Sequence, residues 1–286
     1  MLLRRNATVL PSYALCTSMI SLWGNRKHKL WSLSLLCAFL WPISALQYRG
    51  YRYDVPEKEE IRPLIRPYMV GLFSRRRLLC AGTLVKDNWV LTAAHCFPNE
   101  DTYVILGATS RTKREQGKRV ANITKTFSYP GFNLLTYEHD IMLLQIQIKG
   151  RFTENGRIVP LPKVPEDIRP GTLCRVIGWG TIHQKMGSDI LHEVNATIFD
   201  RRICNDQRHY HQEPVVTVHM LCAGDKIEKM DKCLGDSGSP LICNGRQRGI
   251  LSFVKKCNDR RYPGIYTRLT KDHLFWMQTV IETHQN

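Results

Sequence analysis

Short runs of β-type residues separated by turns are the feature that most restricts how this 286-residue chain can fold. The runs are rich in Val, Ile, Leu and aromatic residues, and Gly, Pro, Asn or Asp interrupts them. Many short strands at this spacing predict an all-β protein built as barrels or a sandwich. The clearest runs are Tyr68–Phe73, Trp89–Leu91, Tyr103–Leu106, Ile141–Ile148, Leu173–Ile177, Leu241–Ile242, Ile250–Val254 and Ile265–Tyr266.

One helical pattern occurs, at the carboxyl end of the chain from Lys271 onward. Its apolar residues recur at intervals of three and four, which is the period of one helix face. The sequence therefore predicts a terminal helix that packs against the β-structure. The apolar positions are Leu274, Met277, Val280 and Ile281.

The first 45 residues are interpreted as a leader that contains a secretory signal. Basic residues at 26–29 precede the apolar run Leu30–Leu40, and small residues follow up to Ala45. A basic segment, about 7–15 apolar residues and a small-residue end are typical of a signal peptide, and we expect cleavage after Ala45. The alternative is an uncleaved membrane anchor, because residues 30–48 carry no charge and approach the length of a membrane span.

Ten cysteines are present, and eight of them follow the leader. An even number behind a secretory signal predicts disulfides in an oxidising compartment. The chain has no Cys-x-x-Cys pair, and its only close histidine pair is His209 and His211. We therefore expect neither a zinc site, nor another metal, nor a cofactor.

The chain carries a formal net charge of +16, from 41 basic and 25 acidic residues. The leader holds five basic residues and no acidic one, so the remainder has a net charge of about +11. A surface this basic favours polyanions, and sulfated glycosaminoglycans are candidate partners. A specific nucleic-acid partner is not expected, because no recognisable motif accompanies the charge and the leader directs the chain to secretion.

Three segments, at 91–96, 138–144 and 235–240, together predict nucleophilic catalysis. A serine hydroxyl needs a base to take its proton, and an imidazole base needs a carboxylate to fix its tautomer. His95, Asp140 and Ser237 supply these groups in the order His, Asp, Ser. The glycines beside Ser237 let the amides of Gly235 and Ser237 face one point, as an oxyanion hole requires.

On these residues the chain resembles the trypsin family of serine proteases and, within it, the granzyme A group. The likeness runs from Pro67 to about Ile281 and includes the unusual Ser239 after Gly-Asp-Ser-Gly. It implies a protease domain over 67–286, with two six-stranded antiparallel β-barrels at roughly 67–160 and 161–270 and a terminal helix. It also implies storage in cytotoxic granules and cleavage after Arg or Lys. The implied disulfides are Cys80–Cys96, Cys174–Cys243, Cys204–Cys222 and Cys233–Cys257.

The resemblance also assigns a specificity pocket. Asp231, six residues before Ser237, takes the place of the pocket floor, where a buried carboxylate selects a cationic side chain. Ser252 and Val254 belong to the strand that pairs with substrate, and Gly264 lines the pocket wall. Two features depart from the family pattern. Lys232 stands where a small residue is usual and can either neutralise Asp231 or extend to water, and Val254 replaces a glycine.

The segment 46–66 departs most from the family pattern. Family members mature by cleavage to a new Ile-Ile-Gly-Gly type of terminus, whose ammonium pairs with the aspartate before the nucleophile, here Asp236. By spacing, that terminus falls near Val55, and no such run occurs there. Two hypotheses follow: a secreted or granule-stored trypsin-like endopeptidase, or a poorly activatable homologue that binds polyanions or proteins.

Two surface properties are also predicted. Gly131 occupies the place of the cysteine that joins granzyme A dimers, and the mature cysteines pair within the chain, so we expect a monomer. Asn195 and Asn122 begin Asn-x-Thr sequences, and we expect N-glycosylation at the first and also at the second.

Overall fold

The described part of the molecule belongs to a unit spanning Arg62–Asn286. The computed structural model describes residues 66–148, 158–180, 188–224, 236–256, 259 and 261–284. The predicted leader at 1–45 and all but the last residue of 46–66 lie outside these residues, so their predicted boundaries stay predictions. Among the described helices, none has the length and apolar character needed to cross a membrane.

The described residues form strands, one 3₁₀ turn and two helices. The 3₁₀ turn is Ala94–Cys96, and the helices are α1, Arg201–Cys204, and α2, Lys271–Thr283. The first six strands are β1 Met69–Ser74, β2 Arg77–Lys86, β3 Trp89–Thr92, β4 Thr102–Leu106, β5 Arg119–Ser128 and β6 Met142–Ile148. The others are β7 Leu173–Gly178, β8 His192–Phe199, β9 Met220–Gly224, β10 Pro240–Cys243, β11 Arg246–Phe253 and β12 Gly264–Arg268.

The strands close into two antiparallel barrels. The first has the order β1-β2-β3-β6-β5-β4, and the second has the order β10-β11-β12-β9-β8-β7. Closure removes the exposed sheet edges that an open sheet would leave. The prediction of two six-stranded barrels is confirmed, and the sandwich alternative is wrong. The expected boundary at 160/161 falls between β6 and β7 and stays a prediction.

Four strands, β2, β5, β8 and β9, are missing from the clearest runs of the sequence. In β5 only Ala121 is fully buried, and Ile123 and Phe127 pack against the core on either side of a register shift, so the apolar alternation is too short for a pattern search to detect. In β2, five consecutive residues from Cys80 to Leu84 are buried because the strand packs on two sides, which removes the period-two alternation.

The terminal helix predicted from its spacing is α2, and it packs on the first barrel. Thr270 caps its amino end by accepting a hydrogen bond from the His273 amide at 3.2 Å. Met277 and Ile281 are buried in the core of that barrel, with Leu274 and Val280 packed against it. The three-and-four spacing thus identified the buried face correctly.

Three disulfides occur among the described residues: Cys80–Cys96, Cys174–Cys243 and Cys204–Cys222. They are three of the four pairs that the resemblance implied. Cys233 and Cys257 lie outside the described residues. Cys80–Cys96 ties β2 to the 3₁₀ turn that carries His95, so it also fixes a residue of the candidate site.

Candidate active site

His95 and Asp140 form a hydrogen-bonded pair on the first barrel. His95 Nδ1 lies 2.6 Å from Asp140 Oδ2, and the His95 amide donates to Asp140 Oδ1 at 2.9 Å. An ionised carboxylate can only accept, so Nδ1 carries the proton and Nε2 keeps its lone pair. The pair therefore presents a base in the tautomer that proton abstraction requires.

Asp140 is fully buried, and two further contacts hold it in place. The Ser252 hydroxyl donates to Asp140 Oδ2 at 2.5 Å, and the Thr267 hydroxyl donates to the Asp140 carbonyl at 2.9 Å. Both Ser252 and Thr267 belong to strands of the second barrel. The carboxylate is therefore clamped between the barrels, and a buried charge is tolerated because several donors face it.

Ser237 lies at the junction of the two barrels. Its carbonyl accepts from the Ala81 amide of β2 at 2.8 Å, and the next amide, of Gly238, donates to Leu251 of β11 at 2.7 Å. Gly238 has φ +86°, and a Cβ there would lie 2.0 Å from the Ala81 oxygen and 2.5 Å from Thr92 Oγ1. Only glycine fits this approach. The segment around Ser237 is thus held against β2 and β11, one strand from each barrel.

Asp236 is a second, half-buried carboxylate with different surroundings. Its Oδ2 accepts from the Trp179 amide at 2.9 Å, and its own amide donates to Ser239 Oγ at 3.1 Å. Burial raises the pKa of Asp236 to about 6, while the Trp179 hydrogen bond and the Arg111 charge act in the opposite direction. In the part of the chain that the structure describes, no ion pair is formed by Asp236.

The pocket residues predicted from the sequence are only partly within the described residues. Asp231, Lys232 and Gly235 lie outside them. Ser252 is buried, and its hydroxyl holds Asp140, a contact that the assignment to substrate binding did not reveal.

Val254 and Gly264 lie at the second barrel. The half-buried Val254 packs against the apolar core of that barrel. A Cβ at Gly264 would come within 3.1 Å of the buried Tyr266 hydroxyl. That hydroxyl has no hydrogen-bond partner among the described residues, and burial raises its pKa. A polar group in need of a partner therefore lies beside Gly264.

Sequence reasoning missed a group of histidines next to Asp140. His139 and His219 stack with ring centres 4.5 Å apart, and His273 contacts His139. Burial lowers the pKa of His139 and lowers that of His273 to about 4, so both rings are neutral near pH 7. A search of the sequence for close histidine pairs finds His209 and His211 instead. In the structure, His209 is half-buried and contacts Asp206. The residues that meet here are far apart in sequence.

Comparison with known proteins identifies the family to which the chain belongs. The sequence profile of the trypsin family matches residues 56–275, about three quarters of the chain. The chain belongs to the trypsin family. This trypsin-family protein is 44% identical to granzyme A of Bos taurus over 224 residues, which cover 78% of this chain and 86% of the relative. It is 34% identical to cathepsin G of Homo sapiens over 260 residues, covering 88% and 94%.

The barrels also match a solved trypsin-family structure. That structure is neuropsin, a serine protease expressed in the limbic system of mouse brain, with a TM-score of 0.64 and 29% identity over 75% of this chain and 95% of neuropsin. The protein is therefore a trypsin-family serine protease related to granzyme A and cathepsin G. Its disulfides fit an extracellular protein.

Proposed function

We propose that this protein is an endopeptidase that uses His95, Asp140 and Ser237 as its catalytic triad. The observation that carries the proposal is the clamped His95–Asp140 pair, in which Nδ1 of His95 faces the carboxylate and Nε2 is left as the proposed base for Ser237. Nε2 takes the Ser237 proton as Oγ bonds to the scissile carbonyl carbon. It then gives that proton to the leaving amine as the C–N bond breaks, and water repeats the cycle on the acyl-enzyme. Asp140 stays ionised throughout.

The amides of Gly235 and Ser237 are the proposed oxyanion hole. In this arrangement each amide donates to the negative oxygen of the tetrahedral intermediate, and loss of one donor costs about 3–4 kcal/mol in comparable enzymes. Asp236 lies between these two residues. The alignment of the two amides therefore depends on whether the Asp236 carboxylate is charged and paired.

The proposed substrates are proteins and peptides with Arg or Lys before the cleaved bond. Asp231 is the proposed pocket floor, and Gly264 leaves space beside the Tyr266 hydroxyl, which can accept or donate at the pocket wall. Ser252 and Val254 belong to the substrate-facing strand. Lys232→Ser should raise activity on Arg substrates, because it removes a cation next to Asp231. Unchanged activity would show that Lys232 points to water.

The second candidate function is that of a polyanion-binding or protein-binding homologue with little catalysis. It is favoured by the raised pKa of Asp236 and by the missing activation sequence near Val55. Arg75, Arg76 and Arg77 are exposed on the β1–β2 turn and offer a binding surface for sulfated glycosaminoglycans. Under either function we expect a secreted or granule-stored monomer, bound to membrane only if the leader stays uncleaved.

The deciding experiment is to purify the secreted protein, sequence its amino terminus and assay an Arg or Lys ester. Hydrolysis that disappears in Ser237→Ala supports the endopeptidase. Binding to heparin-agarose at physiological salt, without ester hydrolysis at any purified terminus, supports the alternative. A single band on a non-reducing gel supports the monomer, whereas a reducible dimer would contradict it.

A further inference from the structure

One carboxylate and three imidazoles cluster beside Asp140, outside the residues assigned to catalysis. Glu138 and His139 directly precede Asp140, His219 precedes β9, and His273 lies in the first turn of α2. Glu138, His139 and His219 each offer one ligand atom, and these three atoms lie within 4.8 Å of one another. All three residues are half-buried, so a dissolved ion can reach them.

A chain of hydrogen bonds fixes the tautomer of His139. His273 Nδ1 lies 2.9 Å from the Arg268 carbonyl, which can only accept, so this nitrogen carries the proton. The Thr270 amide is also near Nδ1, but at 3.4 Å it is the longer and weaker contact. His273 Nε2 therefore accepts from His139 Nδ1 at 2.9 Å, and His139 Nε2 keeps its lone pair. Proteins orient metal-binding imidazoles in this way.

The carboxylate of Glu138 is also oriented. The Thr217 hydroxyl lies 2.8 Å from Oε1 and 3.0 Å from Oε2, and His219 Nδ1 lies 2.5 Å from Oε1. A cation that bound here would take the place of the proton between His219 and Glu138. That proton would move to Nε2 of the same ring or to solvent, as is usual when a histidine binds a metal.

The backbone at His139 adds an independent observation. Its φ is +52°, in the left-handed region that few non-glycine residues adopt, and its carbonyl accepts from the Ile141 amide at 2.8 Å. Strained residues of this kind concentrate at functional positions. The strain is maintained next to Asp140, and the catalytic role of Asp140 alone does not require an imidazole at position 139.

We propose that Glu138, His139 and His219 form a site for a divalent transition-metal ion of the Zn²⁺ class, with His273 as the residue that positions His139. Two imidazoles and one carboxylate suit Zn²⁺, and three protein ligands leave a fourth position for water. Hard ions such as Ca²⁺ and Mg²⁺ prefer all-oxygen sites and should not bind.

A consequence, which rests on the proposed proteolysis, concerns Asp140. The ligand atoms must rearrange to contact one ion, because Glu138 Oε1 and His219 Nδ1 lie 2.5 Å apart and two ligands at about 2 Å from a tetrahedral zinc lie farther apart than that. His139 is bonded to Asp140, so this movement should disturb the alignment of Asp140 with His95. Zn²⁺ should therefore slow ester hydrolysis as the site fills.

Calorimetric titration of the secreted, disulfide-intact protein with ZnCl₂ tests the site. We expect one saturable ion per chain. His139→Gly should weaken binding by about 100-fold while keeping the fold, because glycine adopts φ +52° without strain. His219→Gln should weaken it similarly. The matched control is His209→Gln, which breaks a comparable histidine–carboxylate contact, 2.6 Å from Asp206, that lies outside the cluster.

Several results would overturn the proposal. They are the absence of saturable Zn²⁺ binding in the folded protein, equal losses in His209→Gln and His219→Gln, or equal binding of Ca²⁺. The circular dichroism spectrum of each variant establishes that it is folded. The titration contains no substrate, so a chain that binds Zn²⁺ and hydrolyses nothing contradicts the proposed proteolysis and supports the site.

The coupling to Asp140 has its own test. In a chain that hydrolyses the ester, inhibition by Zn²⁺ should disappear in His219→Gln. Hydrolysis that is unchanged when the site is fully occupied would refute the coupling.

Discussion

Two aspartates beside the candidate site, the fully buried Asp140 and the half-buried Asp236, differ in what surrounds them. Asp140 accepts from the His95 ring, the His95 amide and the Ser252 hydroxyl. The carboxylate of Asp236 accepts from the Trp179 amide, and burial raises its pKa to about 6. The carboxylate charge is therefore balanced by hydrogen-bond donors at Asp140 and insufficiently balanced at Asp236.

The difference separates the formation of the triad from its activation. Asp140 needs nothing from outside the two barrels, because residues of both barrels hold it. The raised pKa of Asp236 is that of a carboxylate without a neighbouring cation. The ammonium of a new amino terminus would supply that cation. In the proposed mechanism, catalytic geometry and catalytic competence are thus set by different parts of the chain.

Asp140→Asn should have the largest effect. The asparagine amide favours the wrong His95 tautomer, and we expect kcat on an Arg ester to fall by about 10⁴-fold in activated protein. Steady-state kinetics with active-site titration measures this. Asp101→Asn, a change at an exposed carboxylate, is the control. A loss below about tenfold would mean that the His95–Asp140 contact is not catalytic.

Asp236→Asn should reveal the uncompensated charge as a change in stability. The folded pKa of about 6 is above the ordinary 3.8, so folding favours the protonated carboxyl, and this contribution is lost as the pH rises through 6. The asparagine oxygen still accepts from Trp179 and carries no charge. In unactivated protein the variant should gain up to about 3 kcal/mol at pH 7.5, less for the partial exposure of Asp236, and under about 1 kcal/mol at pH 4.

Urea unfolding at the two pH values checks this prediction, with Asp87→Asn as the exposed control. In protein that carries a competent new terminus the sign should reverse, because the substitution then removes a buried ion pair. Equal stability of variant and parent at both pH values would show that Asp236 is already compensated.

Ser252→Ala should have the smallest effect. It removes one of the three hydrogen bonds to the Asp140 carboxylate, and we expect a loss of about 1–2 kcal/mol in the free energy of unfolding and a lower kcat. Ser128→Ala at an exposed site on β5 is the control. If Ser252→Ala changes KM but neither kcat nor stability, its role is contact with substrate, as the sequence alone suggested.

The sequence predicted the parts of the fold in which burial follows a simple period. The terminal helix appeared through its three-and-four spacing, and strands such as β6 appeared as apolar runs. In β8, Val194, Ala196 and Ile198 alternate with less buried residues, so a stricter period-two search would have found it. Strand β5 has a weaker signal, because a register shift after Ile123 interrupts the alternation of Ala121, Ile123 and Phe127.

Short motifs point to the proposed triad, whereas contacts that only the fold creates left no signal in the sequence. His95, Asp140 and Ser237 were named from short segments. The Ser252 clamp and the meeting of His139 with His219 and His273 join residues 80 or more positions apart. Contacts over such separations depend on barrel closure, which no local pattern encodes.

The most direct test of the central claim compares ester hydrolysis before and after supplying an amino terminus. Residues 55–58 are replaced by Ile-Ile-Gly-Gly behind an enterokinase site, and Arg-ester turnover is measured per titrated Ser237 before and after cleavage. We predict low turnover in the unmodified secreted protein, a large increase after cleavage of the variant, and none when Ser237→Ala is added. Turnover of the unmodified protein at ordinary trypsin-like efficiency, abolished by Ser237→Ala, would contradict the account.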